Sequence, residues 1–420
     1  MHGEKFRDIA PFRGIILATR AREGGFYAKI KGKNAPARPV AAGALPAFVC
    51  DRDCDGLLGS AAIRMQTGGS PTAYLLKQTI YVLLGVSGAL LIANMNLNVF
   101  RDARLLGYSA LALLGSLIFV KGFGAAVNGA QGWINLGIIS IQPAEVVKFY
   151  LVIYLANHFA NYDEHPQVSH QHMYTRPALL TGALLFLIVI QPDTGGMAIN
   201  AAIAFVIFLA GATAWKIGSL ILSSALAVIM IGLPLASNWI IDHWSGSYKA
   251  ARFVAYMNPF GTKNGAGAQL VNSYYAISNG GLTGAGLGNS IQKMGYLPEP
   301  NTDFILAVIA EELGFVAVAL ILVLLAILVC RIIILGARTN EMYEGLLCYG
   351  VATFLAVETA FNVGGVSGLL PITGVTLPFI SYGGSSMLVL SASIGLILNV
   401  SRRQKERAAL AKLEGEMAHV

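Results

Sequence analysis

Charge is scarce in this chain. Asp, Glu, Lys and Arg make up 12% of its 420 residues, about half of the roughly 25% found in soluble domains. That leaves too little polarity to coat a water-soluble globule. Cysteine is scarce too: four residues exclude a disulfide framework. Cys330 and Cys348 sit in or beside apolar runs, where a thiol behaves as a small hydrophobe. Residues 1–40 lack a continuous apolar core, so no cleavable signal peptide is expected and the spans themselves would direct insertion. Acidic residues are outnumbered, and the formal charge is +7. The excess gathers at both ends, in Lys29, Lys31, Lys33 and Arg38, and again in Arg402, Arg403, Lys405 and Arg407. Beside membrane spans such clusters mark the cytoplasmic side and anionic membrane lipid, and argue against nucleic acid as a partner.

What is abundant is apolar sequence, 55% of the chain. A helix needs roughly 20 apolar residues to cross a bilayer, and nine apolar stretches mark the cores of candidate spans: 78–94, 105–120, 138–159, 177–190, 196–212, 217–235, 302–334, 345–370 and 379–400. Backbone in lipid must satisfy its own hydrogen bonds, so these are predicted to be helices, which makes the fold class an all-α polytopic membrane bundle. Arg101, Arg104, Lys216, Arg331, Arg338 and Arg402–Arg407 fall on one side if the loops alternate. That side is cytoplasmic and includes the tail 404–420. Residues 236–301 form a large outer segment rich in Gly, Asn and Tyr, and a connection that long is usually functional.

Nine spans with a cytoplasmic C-terminus would leave the basic segment 1–64 outside, against the charge rule. A tenth span before residue 78 would repair the parity. Asp51, Arg52, Asp53 and Asp55 stand in its way, since each charge at mid-bilayer costs about 3 kcal/mol.

Four stretches place polar residues at the outer ends of apolar helices. The first runs from Asn128 through Gly132 and Trp133 to Gln142, Glu145 and Lys148. The second is Gln191-Pro-Asp193-Thr-Gly195. The third runs from Gly280 through Gly288-Asn-Ser290, Gln292 and Lys293 to Glu299, Thr302 and Asp303. The fourth holds Asn362, Gly368, Pro371 and Leu377-Pro-Phe-Ile-Ser381-Tyr-Gly-Gly-Ser-Ser386. Each has an ordinary structural reading. Asp303 opens an apolar helix, where the dipole favours a carboxylate, yet a carboxylate at the mouth of a membrane cavity also suits a general base. Glu145 and Lys148 are one turn apart and can pair around a kink at Pro143. Trp133 can be an interfacial anchor, Asp193 a helix cap, and Glu299 part of a solvated loop. Glu311 and Glu312 are intramembrane carboxylates, which serve either function or an internal hydrogen-bond network. Ser381–Ser386 suits close packing and cavity shape rather than nucleophilic chemistry, because no base lies nearby in sequence. His165, His170 and His172 lack clean metal spacing and receive no role.

Together, over residues 68–403, these motifs resemble the SEDS family (shape, elongation, division and sporulation) of FtsW and RodA glycosyltransferases. Gly286–Ser290 with Gln292-Lys293 is more similar to the division branch than to the elongation branch. The resemblance implies ten transmembrane helices, a large extracellular loop between the seventh and eighth, and polymerisation of lipid II with release of undecaprenyl diphosphate. It makes Asp303 the catalytic base and Lys148 the phosphate-binding cation, with Glu145 orienting it. Trp133 would shape the substrate cavity, and Asp193, Glu299 and Lys293 would contact substrate. A divalent metal, Mg or Mn, would sit by Asp303 and Glu299 if one is used. The partners implied are a class B penicillin-binding transpeptidase and other divisome proteins. One departure stands out: the family's usual arginine before the tryptophan is Gly132 here. Within the family a RodA-type elongation polymerase is the alternative, and outside it a lipid II flippase and a non-catalytic division scaffold are the rival readings.

The resemblance also bears on the missing first span. The family's first helix ends in a segment of the Met-Val-Tyr-Ser-Ala type, where this chain has Asp55-Gly-Leu-Leu-Gly-Ser60. A coding string for those six residues, read one nucleotide later, yields that pentapeptide. A frameshift over roughly residues 35–60 would explain the charges and the parity together.

Overall fold

A computed structural model describes residues 71–127, 130–135, 140–164, 170–211, 248–261 and 265–417. The expected spans 217–235 and the anomalous stretch 35–60 lie outside these residues. The other eight expected spans are all helices. They are α1 (Pro71–Asn94), α2 (Ala103–Phe123), α3 (Pro143–Glu164), α4 (His170–Ile190) and α5 (Thr194–Gly211), then, after two shorter helices, α8 (Ile305–Arg338), α9 (Met342–Ser367) and α10 (Gly384–Met417). The shorter pair, α6 (Tyr248–Met257) and α7 (Ala266–Gly280), occupies much of the segment that reads as a long outer loop.

Several boundaries differ from the hydropathy reading, for local reasons. Pro143 does not kink a helix. It is the first residue of α3, where a missing N–H costs nothing. Residues 140–141 instead form strand β3 of a small antiparallel sheet with β1 (Ala125–Val127) and β2 (Ala130–Asn135), an addition to the all-α expectation. Helix α4 starts at His170, so Pro177 lies inside it, and His170 and His172 belong to its first turn rather than to a loop.

Among the described residues seven helices are long and apolar enough to cross a membrane: α1, α2, α4, α5, α8, α9 and α10. The exception is α3, and its place explains why. Val147, Leu151, Leu155, Ala156 and Phe159 are fully buried, because α3 packs against α5, α9, α10 and α2 at the centre of the bundle. A helix screened from lipid by protein can carry Glu145, Lys148, Asn157 and His158 where a lipid-facing helix could not. α1 packs along α10 through small residues, Gly85 on Ser391 and Gly395 on Ala89, which lets the backbones approach closely.

The bundle is polarised end to end. At the basic end Arg101 bonds Glu164 and Asn161 at 2.8 and 2.7 Å, Arg402 bonds Asn94 at 3.0 Å, and Arg407 pairs with the buried Glu344. The opposite, acidic end holds the polar motifs.

Candidate active site

The fourth motif clasps the others together. Ser381 Oγ donates to the Thr302 carbonyl at 2.6 Å and accepts from Leu377 N–H at 2.7 Å, while Tyr382 N–H donates to the Asn301 carbonyl at 2.8 Å. Ser385 Oγ donates to the Ser140 carbonyl at 2.8 Å and accepts from Gln142 N–H at 2.9 Å. Asn362 Nδ2 bridges the carbonyls of Asp303 and Val375 at 2.9 and 2.8 Å. The serine-rich segment therefore works as a fastener for the first and third motifs.

Around this fastener lie five carboxylates, Glu145, Asp193, Glu299, Asp303 and Glu358, and two cations, Lys148 and Arg252. Lys148 Nζ, 1% exposed, lies 2.7 Å from Glu145 Oε1 and 3.3 Å from Glu358 Oε1, and 4.9 Å from the centre of the Phe354 ring. Asp193 precedes α5 and accepts from Gly196 N–H at 2.7 Å, the cap that its position predicts. Its other oxygen accepts from Gln142 Nε2 at 3.1 Å. Burial, and the charge of Glu145, push the Asp193 carboxyl above its ordinary range, while Lys148 and Arg252 oppose the shift. Gln142 Nε2 also lies 3.7 Å from where a Cβ on Gly132 would stand. Trp133, half-buried, sits opposite Ala125 in the sheet.

Asp303 lies in the turn ahead of α8, half-buried. It does not cap the helix, since Phe304 holds the N-cap position. Burial raises its carboxyl to about 6; the Arg252 guanidinium opposes that shift, and Glu299 and Asp193 add to it. Arg252, from α6, donates to the Ile372 carbonyl at 3.3 Å and faces the same glycine, Gly374, as Asp303. Pocket-lining residues Asn362, Thr373 and Val375 complete the surroundings of Asp303. Glu299 is exposed, and its carboxylate accepts from Thr302 Oγ1 at 3.1 Å.

Lys293, expected against substrate, does not join this group. It is buried, and its ammonium pairs with Glu312. Glu311 and Glu312 together hold the glycine-rich loop. Glu312 accepts from Gly288 N–H at 3.0 Å, and Glu311 accepts from Ile291 and Gln292 N–H groups at 3.2 Å and from Ser290 Oγ. The helix breaks beside them at Gly314, whose φ of 78° and ψ of −179° are not helical. The loop takes over the orphaned bonds: Ala285 N–H donates to the Glu311 carbonyl at 2.9 Å, and Phe315 N–H to the Gly281 carbonyl at 2.9 Å. A Cβ on Gly314 would collide with the Leu282 carbonyl, so only glycine fits. The hydrogen-bond network is thus the reading of these two glutamates that the geometry carries.

Among the described residues no three His, Cys, Asp or Glu side chains converge as metal donors. A magnesium-type ion at Asp303 would need waters and substrate oxygens to complete its shell.

The fold and site define a class: a polytopic helical membrane protein with a half-buried carboxylate and two cations at one end of its bundle. Residues 58–406 match the profile of the cell cycle proteins FtsW, RodA and SpoVE, and the chain belongs to that family. It is 37% identical over 356 residues to a probable peptidoglycan glycosyltransferase FtsW of Enterococcus hirae, covering 83% of this chain and 88% of the relative. It is 40% identical over 297 residues to the Bacillus subtilis protein of the same description, covering 70% and 71%. Among solved structures, a peptidoglycan synthase complex that coordinates polymerisation and crosslinking gives a TM-score of 0.62 at 26% identity, covering 86% of this chain and 97% of that one. The rod shape determining protein RodA of Thermus thermophilus gives 0.57 at 27%, covering 88% and 98%.

Two residues of the site escape a reading of the sequence. Glu358 is an intramembrane carboxylate, a class that merits attention by default, but it sits in a long apolar run one turn ahead of the motif that starts at Asn362. Arg252 lies in α6, and nothing local ties it to Asp303.

Proposed function

We propose that this chain is a peptidoglycan glycosyltransferase of the FtsW type, polymerising lipid II during cell division with its acidic end on the outer face and its C-terminus in the cytoplasm. The observation that carries the reading is the convergence of Asp303, raised to about 6 by burial, with Arg252 at Gly374, beside Lys148 and Asp193. A carboxylate held near 6 is ionised at neutral pH and basic enough to accept a proton in a transition state. Asp303 takes the proton of the acceptor GlcNAc 4-hydroxyl. The freed oxygen attacks C1 of the donor MurNAc, the bond from C1 to the diphosphate oxygen breaks, and undecaprenyl diphosphate departs with the electron pair. Arg252 and Lys148 are the cations available to its developing charge, Glu145 orients Lys148, and Asp193, Glu299 and Trp133 border the entering sugars. The basic end carries Arg101, Arg402, Arg403 and Arg407, which supports the orientation.

The division assignment rests on the FtsW descriptions of relatives at 37–40% identity, against 27% for the RodA structure. The match to a synthase complex supports a crosslinking partner, in this reading a class B penicillin-binding transpeptidase within the divisome. A flippase would place its binding groups near the midplane, whereas this cluster lies at the ends of α3, α5 and α8.

The test is glycan polymerisation from purified lipid II by the full chain with its transpeptidase, comparing wild type with Asp303→Asn. Loss of about 10²–10⁴-fold in an equally folded variant is expected. Undiminished turnover by Asp303→Asn would end the base assignment.

A further inference from the structure

The Lys148 ammonium is gripped from two unlike sides. Glu145 reaches it from the same helix at 2.7 Å and keeps 13% of its side chain exposed. Glu358 reaches it from α9 at 3.3 Å and is fully sealed, at 0%. Among the described residues Glu358 accepts, besides Lys148, only from Thr376 Oγ1, at 3.3 Å, and its Oε2 has no hydrogen-bond partner there. Stripping a carboxylate of water costs several kcal/mol even after relaxation, so a group held this sparsely depends on its counter-charge. A glutamine of the same shape would still accept from Lys148 and Thr376 without that cost. The charge itself therefore has a consequence for the site.

We propose that Glu358 is a positioning residue for the diphosphate-bearing lipid substrate, holding Lys148 from the closed side while the substrate draws it from the open side. The proposal rests on the transferase reading above. An arriving phosphate competes with two carboxylates for one ammonium. Glu145 keeps part of its side chain exposed, whereas Glu358 is sealed against Lys148 and Thr376. Glu358 thus sets a standing opposition to the anionic ligand, which weakens ground-state binding and helps the diphosphate product leave.

The test is steady-state polymerisation by full-length Glu358→Gln in liposomes with purified lipid II. KM and kcat are expected to fall together, each by about fivefold or more, the pattern of a lost ground-state opposition. A KM and kcat equal to wild type, or a fall in kcat alone that tracks the loss of folded protein, overturns the proposal. A second measurement needs no turnover. Lys148→Met should lower the melting temperature, and Lys148→Met/Glu358→Gln should recover most of that loss because no orphaned charge remains. A double variant that melts no higher than Lys148→Met removes the pairing on which the proposal stands. Absence of polymer from wild type would instead refute the transferase reading, and the melting comparison would still decide the pairing.

Discussion

Asp303 Oδ2 and Arg252 Nη1 lie equally close to Gly374, each 3.3 Å from the point where a Cβ would stand. Gly374 also holds a φ of +75°, which side chains rarely adopt. Two elements distant in sequence, α6 and the turn before α8, thus meet across a residue that must stay small. Gly374→Ala should press on both charged groups and add backbone strain of about 1–2 kcal/mol. The expected result is a loss of polymerisation of more than about tenfold with a melting point only a few degrees lower. Normal turnover by the variant would show that the carboxylate and guanidinium have room to spare.

Asp303 should also write its titration into the pH profile. The ionised form is the base, so turnover should be flat above about 6 and fall about tenfold per unit below it. Arg252 favours the charged form. Arg252→Gln should therefore move the acid limb to higher pH, and a limb left in place would separate the two groups. For folding the sign is reversed. A carboxyl raised from its ordinary 3.8 to about 6 withdraws stability as pH rises through that window. Asp303→Asn should accordingly melt higher than wild type at neutral pH and no higher near pH 3.

Lys293 belongs to the scaffold of the glycine-rich loop. Lys293→Met leaves Glu312 buried without its cation, a loss of about 3–5 kcal/mol. Thermal melting should register it, while KM for the lipid substrate in the folded fraction stays as in wild type. A raised KM with unchanged melting would return Lys293 to the substrate site.

Residues 35–60 lead to a genetic prediction. Resequencing the locus should reveal a displaced reading frame there, and restoring it should supply an apolar first span and raise the yield of folded protein. An uninterrupted frame as written would retire the frameshift.

Much of the bundle is legible in the sequence because lipid imposes a simple rule. Apolar runs must become helices with internal hydrogen bonds, and eight of the expected spans appear as such at these positions. Helix ends are less legible. Strand pairing at Ser140 and Ile141 shortens the expected third span, and Pro143 marks a helix start where a kink was expected. Glu145 and Lys148 are visible as a pair because helical spacing alone puts them together.

Sequence by itself determined the membrane class, the positions of these spans and the motif residues gathered at one end, since hydropathy and local spacing are properties of neighbours along the chain. Only the tertiary structure decided which charges meet. Glu358 finds Lys148 across 210 positions, Lys293 turns inward to Glu312, and Arg252 comes to stand by Asp303. Such pairings follow from how α3, α6, α8 and α9 pack, and packing depends on contacts between distant segments that no local pattern records.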